Sequence, residues 1–355
     1  MKPVTASRAA LVALVAAFSA PAAAQDVTLE PRTFEAQSFS LETGATLDTL
    51  LVQYATLGEA KRDAEGRITN AVIVPHGWSG DYAQTVTLAK DLVGAGKPID
   101  TDRFHVIFPT ALGSPGSSAP STSGLGADFP VYTVGDMVAT QKALLDHLGV
   151  ERLRGVAGIS MGGFQTLAWV TKYPDMMDWA IPIAASPSMK GRNLGVFGLM
   201  SHQIISDPAY EDGRYDEQPR EAMRRGFMST YLFYFGPGFY DANFSDADAA
   251  VKGLQNAGLG SEKMDANDIV WRNKAMFAFD VSDALPGSKV PMLVIGTLED
   301  ELFPPEEELK PIAYAAPGAE VFTFSSPLGH VGSAVHIGRA DAAIRAFLER
   351  VDGAG

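Results

Sequence analysis

Short apolar runs alternate along this chain with segments whose apolar positions recur at helical spacing. Leu50–Ala55, Ala71–Pro75, Phe104–Pro109, Arg154–Ile159, Trp179–Ala184, Val290–Gly296 and Val321–Ser325 read as strands. Many are apolar throughout, as strands covered on both faces are. Val134–Leu148, Gly163–Lys172 and Val335–Val351 read as helices. Strand–helix alternation of this kind predicts an α/β fold with a mostly parallel central sheet flanked by helices. The rhythm stops between about Ser186 and Ala284, where methionines, aromatics and paired charges replace it, and then resumes. Residues 25–185 and 285–355 are therefore expected to form the core, with 186–284 a mostly helical cap inserted over one end of the sheet.

The first 24 residues have a different pattern. Lys2 and Arg8 make a basic start, Ala9–Ala20 a short apolar stretch, and Ala22-Ala23-Ala24 a small-residue cleavage site before Gln25. This is the form of a signal peptide. The apolar stretch is well short of the roughly 20 residues that span a bilayer, and no later segment is long and apolar enough either. The mature chain is expected to be periplasmic or secreted, cleaved near Ala24/Gln25. There is no Cys, so disulfides, thiolate metal sites and a Cys nucleophile are excluded. The formal net charge is −14. An acidic surface argues against nucleic acid or an anionic membrane as partner.

Gly158-Ile159-Ser160-Met161-Gly162 lies where one apolar strand ends and a helix begins. That is the context of a nucleophile elbow, a turn too tight for bulky neighbours that holds a serine hydroxyl exposed at a strained backbone angle. Ser160 needs a base and an orienting acid, which in this chain order follow as acid and then histidine. Of six histidines, His330 sits just past the last predicted strand, where a loop can carry it to the serine; His336 reads as a surface or packing residue. Glu299, Asp300 and Glu301 follow the strand Val290–Gly296, and position alone favours Asp300 only slightly over Glu299. The N–H groups of Met161 and of Trp78, in the loop after Ala71–Pro75, are the expected oxyanion donors. His76 reads as a brace for that loop, and His105 and His147 as structural. No H-x-x-x-H or carboxylate cluster suggests a metal, and the chemistry calls for no cofactor.

Four segments carry a resemblance to a known family: NAVIVPHGWSGD at 70–81, GKPIDTDRF at 96–104, LGSPGSSAPS at 112–121, and Val134–Gly163, which contains the elbow. Together with Asp300-Glu301-Leu302-Phe303-Pro304-Pro305 they resemble the homoserine O-acetyltransferases of the α/β-hydrolase superfamily. The resemblance implies an α/β-hydrolase fold and places the family's Ser, Asp and His on Ser160, Asp300 and His330. It also implies that Arg224 and Tyr231, at the family's seven-residue spacing, line the substrate tunnel.

Two departures bear on the reaction. The family has Asp directly after the catalytic His, where it helps hold an amino-acid substrate; here that position is Val331. The family also works in the cytosol, whereas this chain begins with an export signal. The expected activity is hydrolysis of a small acyl ester or thioester through an acyl-enzyme. Acyl transfer from acyl-CoA is the alternative, and a non-catalytic binding protein on the same fold a remote one. A homodimer is compatible with the sequence.

Overall fold

The computed structural model describes residues 29–353; the N-terminal leader expected from the sequence lies outside them. Eight strands form one sheet in the order β1-β2-β6-β3-β7-β8-β9-β10. They are β1 (Arg32–Ser40), β2 (Thr46–Leu57), β3 (Ala71–Ile73), β6 (His105–Pro109), β7 (Leu153–Ile159), β8 (Met177–Ile183), β9 (Met292–Thr297) and β10 (Ala319–Phe324). Two short strands, β4 (Val93–Gly94) and β5 (Ile99–Asp100), pair separately. β2 runs antiparallel to β1 and β6; from β6 to β10 every pairing is parallel. The parallel strands are covered on both faces, which is why β3, β6 and β9 are buried at every position.

The expected strands recur within a few residues. β1 was not legible: it lies at the sheet edge and most of its residues are exposed or half-buried, so it lacks an apolar run. The helix expected over Val335–Val351 is instead split into α10 (Gly329–Val335), a 3₁₀ turn at Ile337–Ala340 and α11 (Asp341–Gly353). His336 departs from helical geometry at φ −112°, ψ 19°, and its Nδ1 lies 2.9 Å from Ser326 Oγ. That bond joins the break to the loop after β10.

Elsewhere the chain order is that of strand, crossover helix, strand. α1 (Tyr82–Leu88) begins with Asp81 accepting from the Gln84 N–H at 2.8 Å. α2 (Val134–Leu148) has the Thr133/Asp136 capping box at its start and Gly149 at φ 77° at its end, so sequence and structure agree on both bounds. α3 (Met161–Lys172) follows β7 directly. Between β8 and β9 come five helices: α4 (Gly191–Ile205), α5 (Arg220–Tyr231), α6 (Pro237–Asn243), α7 (Ala247–Gly258) and α8 (Ala266–Phe277). α9 (Lys310–Ala315) lies between β9 and β10. None of the helices among the described residues is long and apolar enough to cross a membrane.

Candidate active site

The β7–α3 turn explains why its glycines stand where they do. A Cβ on Gly158 would lie 2.2 Å from the Gly162 carbonyl oxygen, and one on Gly162 would lie 2.3 Å from the Pro75 carbonyl oxygen. Gly163 is equally constrained, since its Cβ would lie 2.6 Å from that of Ala185. Strand, helix and the loop after β3 therefore meet backbone to backbone. At the apex Ser160 has φ 58° and ψ −121°, a conformation that costs a non-glycine residue of order 1–3 kcal/mol. The surrounding packing holds it there.

Two loops deliver partners to Ser160. His330 lies at the start of α10, after Gly329, whose φ is 55° and whose carbonyl accepts from Thr297 Oγ1 at 2.7 Å. His330 Nε2 is 3.0 Å from Ser160 Oγ, and its Nδ1 is 2.9 Å from Asp300 Oδ2. The other Asp300 oxygen accepts the N–H groups of Leu302 and Phe303 at 2.9 and 2.8 Å. Asp300 and His330 are only 2% and 5% exposed. A carboxylate so fixed makes Nδ1 the protonated nitrogen, leaving the Nε2 lone pair for the serine hydroxyl.

The structure separates the three acids that position alone did not. Glu299 bonds Ser325 Oγ and accepts the Ser326 N–H at 2.6 Å. Glu301 faces Arg192 at 3.3 Å. Asp300 alone of the three meets the histidine. His336 bonds Ser326, and His105 lies 2.8 Å from the Gly58 carbonyl. The ring of His147 packs on Phe34.

The loop after β3 is held from behind. His76 is 1% exposed; its Nδ1–H donates to the Gly77 carbonyl at 2.6 Å and its Nε2 accepts from the Ala111 N–H at 2.9 Å. Burial pushes its pKa down to about 4, so the ring is neutral near pH 7 and can play both roles. The Gly77 carbonyl and the Trp78 N–H belong to one peptide, so tying the carbonyl back turns the N–H outward. The N–H groups of Met161 and Trp78 have no hydrogen-bond partner among the described residues.

Ser160, His330, Gly77 and Trp78 line a pocket together with Tyr234 and Val331. Its lining mixes apolar Val74, Leu88, Ala89 and Leu92 with uncharged polar Ser79, Gln84 and Thr85, and apart from His330 it has no acidic or basic lining residue among those described. Tyr234 was missed from the sequence: its ring meets that of His330 edge-on at 5.3 Å, and burial raises its phenol well above the usual range. It lies in the run Phe233-Tyr234-Phe235, where no motif distinguishes it from core aromatics.

The two residues expected in a substrate tunnel lie elsewhere. Arg224 bonds Glu262 at 2.6 Å and Glu221 at 3.2 Å. Neither Arg224 nor Tyr231 is among the residues that line this pocket. Tyr231 packs behind Tyr234, with ring centroids 5.0 Å apart.

Known proteins share this arrangement of elements. The model of the alpha/beta hydrolase fold family matches residues 70–330. A probable acyltransferase of Methanothermobacter thermautotrophicus is 37% identical over 89% of this chain and 96% of its own length. The homoserine O-acetyltransferase of Methanosphaerula palustris is 31% identical over 87% of this chain and 71% of its own. Among solved structures, esterase E22 superposes with a TM-score of 0.81 at 23% identity, over 90% of this chain and all of that one. The chain belongs to the α/β-hydrolase superfamily and, within it, to the homoserine O-acetyltransferase-like family.

Proposed function

We propose that this protein is an exported ester hydrolase that works through an acyl-enzyme on Ser160. The observation that carries the reading is the hydrogen-bonded chain from Asp300 through His330 to Ser160, opening on a pocket. Ser160 Oγ attacks the acyl carbon while His330 Nε2 takes its proton. The negative charge on the former carbonyl oxygen is met by the N–H groups of Met161 and Trp78. The acyl–oxygen bond then breaks, and His330 returns the proton to the leaving alcohol. Water, deprotonated by His330, attacks the acyl-enzyme, and Ser160 leaves with the proton. Asp300 keeps the imidazole in the useful tautomer and stabilises its protonated form.

The same residues would serve acyl transfer, so the acceptor must be argued from the pocket. An amino-acid acceptor brings an ammonium and a carboxylate, each costly to bury unpaired. No carboxylate or guanidinium lines this pocket, and Val331 occupies the place beside His330 where the family carries Asp. Water needs no such partner. The leader sequence supports export, where acyl-CoA is not supplied. Acyl transfer remains the second reading because the two relatives compared above by sequence are named for it.

A panel of p-nitrophenyl esters and acyl-CoAs, run with and without homoserine, tests the reading. Ester hydrolysis unstimulated by homoserine is expected. Efficient homoserine-dependent transfer with slow hydrolysis in its absence would replace it by the second reading. Export is tested separately: native protein that still begins at Met1 would overturn it.

A further inference from the structure

The second oxyanion donor sits on a loop, and loops do not aim N–H groups unaided. What holds Trp78 comes from the inserted segment. Arg272, on α8, is 1% exposed. Its Nη1 donates to the Trp78 carbonyl at 2.7 Å and its Nη2 to the Gly113 carbonyl at 2.9 Å. The guanidinium carbon lies 5.3 Å from the centroid of the Trp78 ring. The next residue, Asn273, accepts the Trp78 indole N–H at 2.8 Å and is itself fixed by donating to Ser201 Oγ at 2.9 Å.

The unusual feature is the charge. Arg272 makes no direct ion pair with a carboxylate among the described residues, and the charge of Asp268 acts on it without contact. Asp268, one turn earlier, accepts instead from the Ser121 N–H at 2.9 Å and from Ser121 Oγ at 2.5 Å. Arg272 Nε has no partner. A buried cation whose counter-charge, Asp268, is not in direct contact with it is a poor device for stability. A planar fork is, however, the one side chain that bridges two carbonyls on separate loops with fixed geometry. It also makes the cation–π contact that seats the indole.

We propose that Arg272 is a positioning residue for the oxyanion site. It fixes the Trp78 carbonyl and ring, while His76 fixes the peptide on the other side, so that the Trp78 N–H stays aimed at the space above Ser160. The helix α8 thereby acts as a strut for the reaction centre. This rests on the functional reading above, in which Ser160 is the nucleophile and the Trp78 N–H a donor to the oxyanion.

The test compares wild type with Arg272→Met and Arg272→Lys. Active sites are counted by fluorophosphonate labelling of Ser160. Hydrolysis of p-nitrophenyl acetate gives kcat per labelled site and KM. A trifluoromethyl ketone, whose adduct carries an oxyanion in the same position, gives an inhibition constant. Removal of an oxyanion donor costs about 100- to 1,000-fold in kcat, and mis-aiming one should cost roughly 10- to 100-fold. Arg272→Met is expected to lose that much in kcat per labelled site, with KM changed by less than about threefold and the ketone weakened by the same factor as kcat/KM. Arg272→Lys, which keeps the charge but loses the planar fork that reaches both carbonyls, should fall between, and it is read in the same way if Arg272→Met does not fold. A purely structural role lowers the number of labelled sites and leaves their kcat and ketone affinity at the wild-type level. That result, or a loss confined to KM, would overturn the clamp alone. A wild type that neither labels at Ser160 nor turns over esters would overturn the functional reading and the clamp with it.

Discussion

Substituting Gly162 by Ala adds one methyl group at a crowded point of the site. Its Cβ would stand 2.3 Å from the Pro75 carbonyl oxygen, 3.1 Å from the Pro75 carbonyl carbon and 3.2 Å from the His76 carbonyl oxygen. All three are backbone atoms, so no side chain can swing aside. To reach even a tight contact the Pro75–Trp78 loop or the start of α3 must move by about 0.7 Å, and a displacement of that order at a reacting centre costs roughly 100-fold in rate. Overpacking itself costs about 1–3 kcal/mol. Gly195 and Gly198 supply the control, because they lie on α4 and a Cβ at either meets nothing within 4 Å. There, Gly→Ala should stabilise by about 0.5–1 kcal/mol through helix propensity alone and leave turnover unchanged. Urea unfolding and initial rates on p-nitrophenyl acetate measure both quantities. A Gly162→Ala enzyme with wild-type kcat and wild-type stability would refute the claim that backbone contact between elbow and loop sets the geometry.

Ser160→Ala and His330→Ala should each lower kcat by roughly four to six orders of magnitude, and the double variant little further, because residues acting as a unit are not additive; additive losses would contradict the assignment. His76 titrates near 4 when folded against about 6.5 unfolded, so the unfolded chain takes up its proton first as pH falls. Stability should therefore drop between about pH 6.5 and 4 by up to roughly 3 kcal/mol, and urea unfolding of His76→Gln should lack that part of the slope; identical slopes would remove the burial argument. Val331→Asp should raise homoserine-dependent acyl transfer relative to hydrolysis, read as O-acetylhomoserine formed per ester consumed; an unchanged ratio would show that residue 331 does not govern the acceptor.

Legibility in the sequence followed how local each cause is. The parallel strands and α2 could be read because their burial and capping are written in contiguous residues. Ser160, Asp300 and His330 were legible because elbow, chain order and the Asp300–Pro305 turn are short motifs, and the structure brings the three within hydrogen-bonding distance. Arg272 was not. In the run Trp271-Arg272-Asn273-Lys274 a cation reads as part of a solvated face, yet α8 is buried over most of its length, and only the tertiary fold reveals that Arg272 faces inward. Tyr234 escaped notice because proximity to His330 comes from two segments nearly a hundred residues apart. Arg224 was named from a spacing shared with a family, which carries no information on its partners; here it pairs with Glu221 and Glu262 and is not among the residues lining the pocket at Ser160.

The central claim is that Ser160 becomes acylated and that water releases the acyl group. Acid-quenching the enzyme during turnover of p-nitrophenyl acetate, then mapping the acetyl group by peptide mass spectrometry, tests it most directly. The account predicts an acetyl adduct on Ser160 that builds up within the first turnovers and decays to acetate without added acceptor. Turnover with no adduct, with the adduct on another residue, or with an adduct that persists until homoserine is supplied would contradict it.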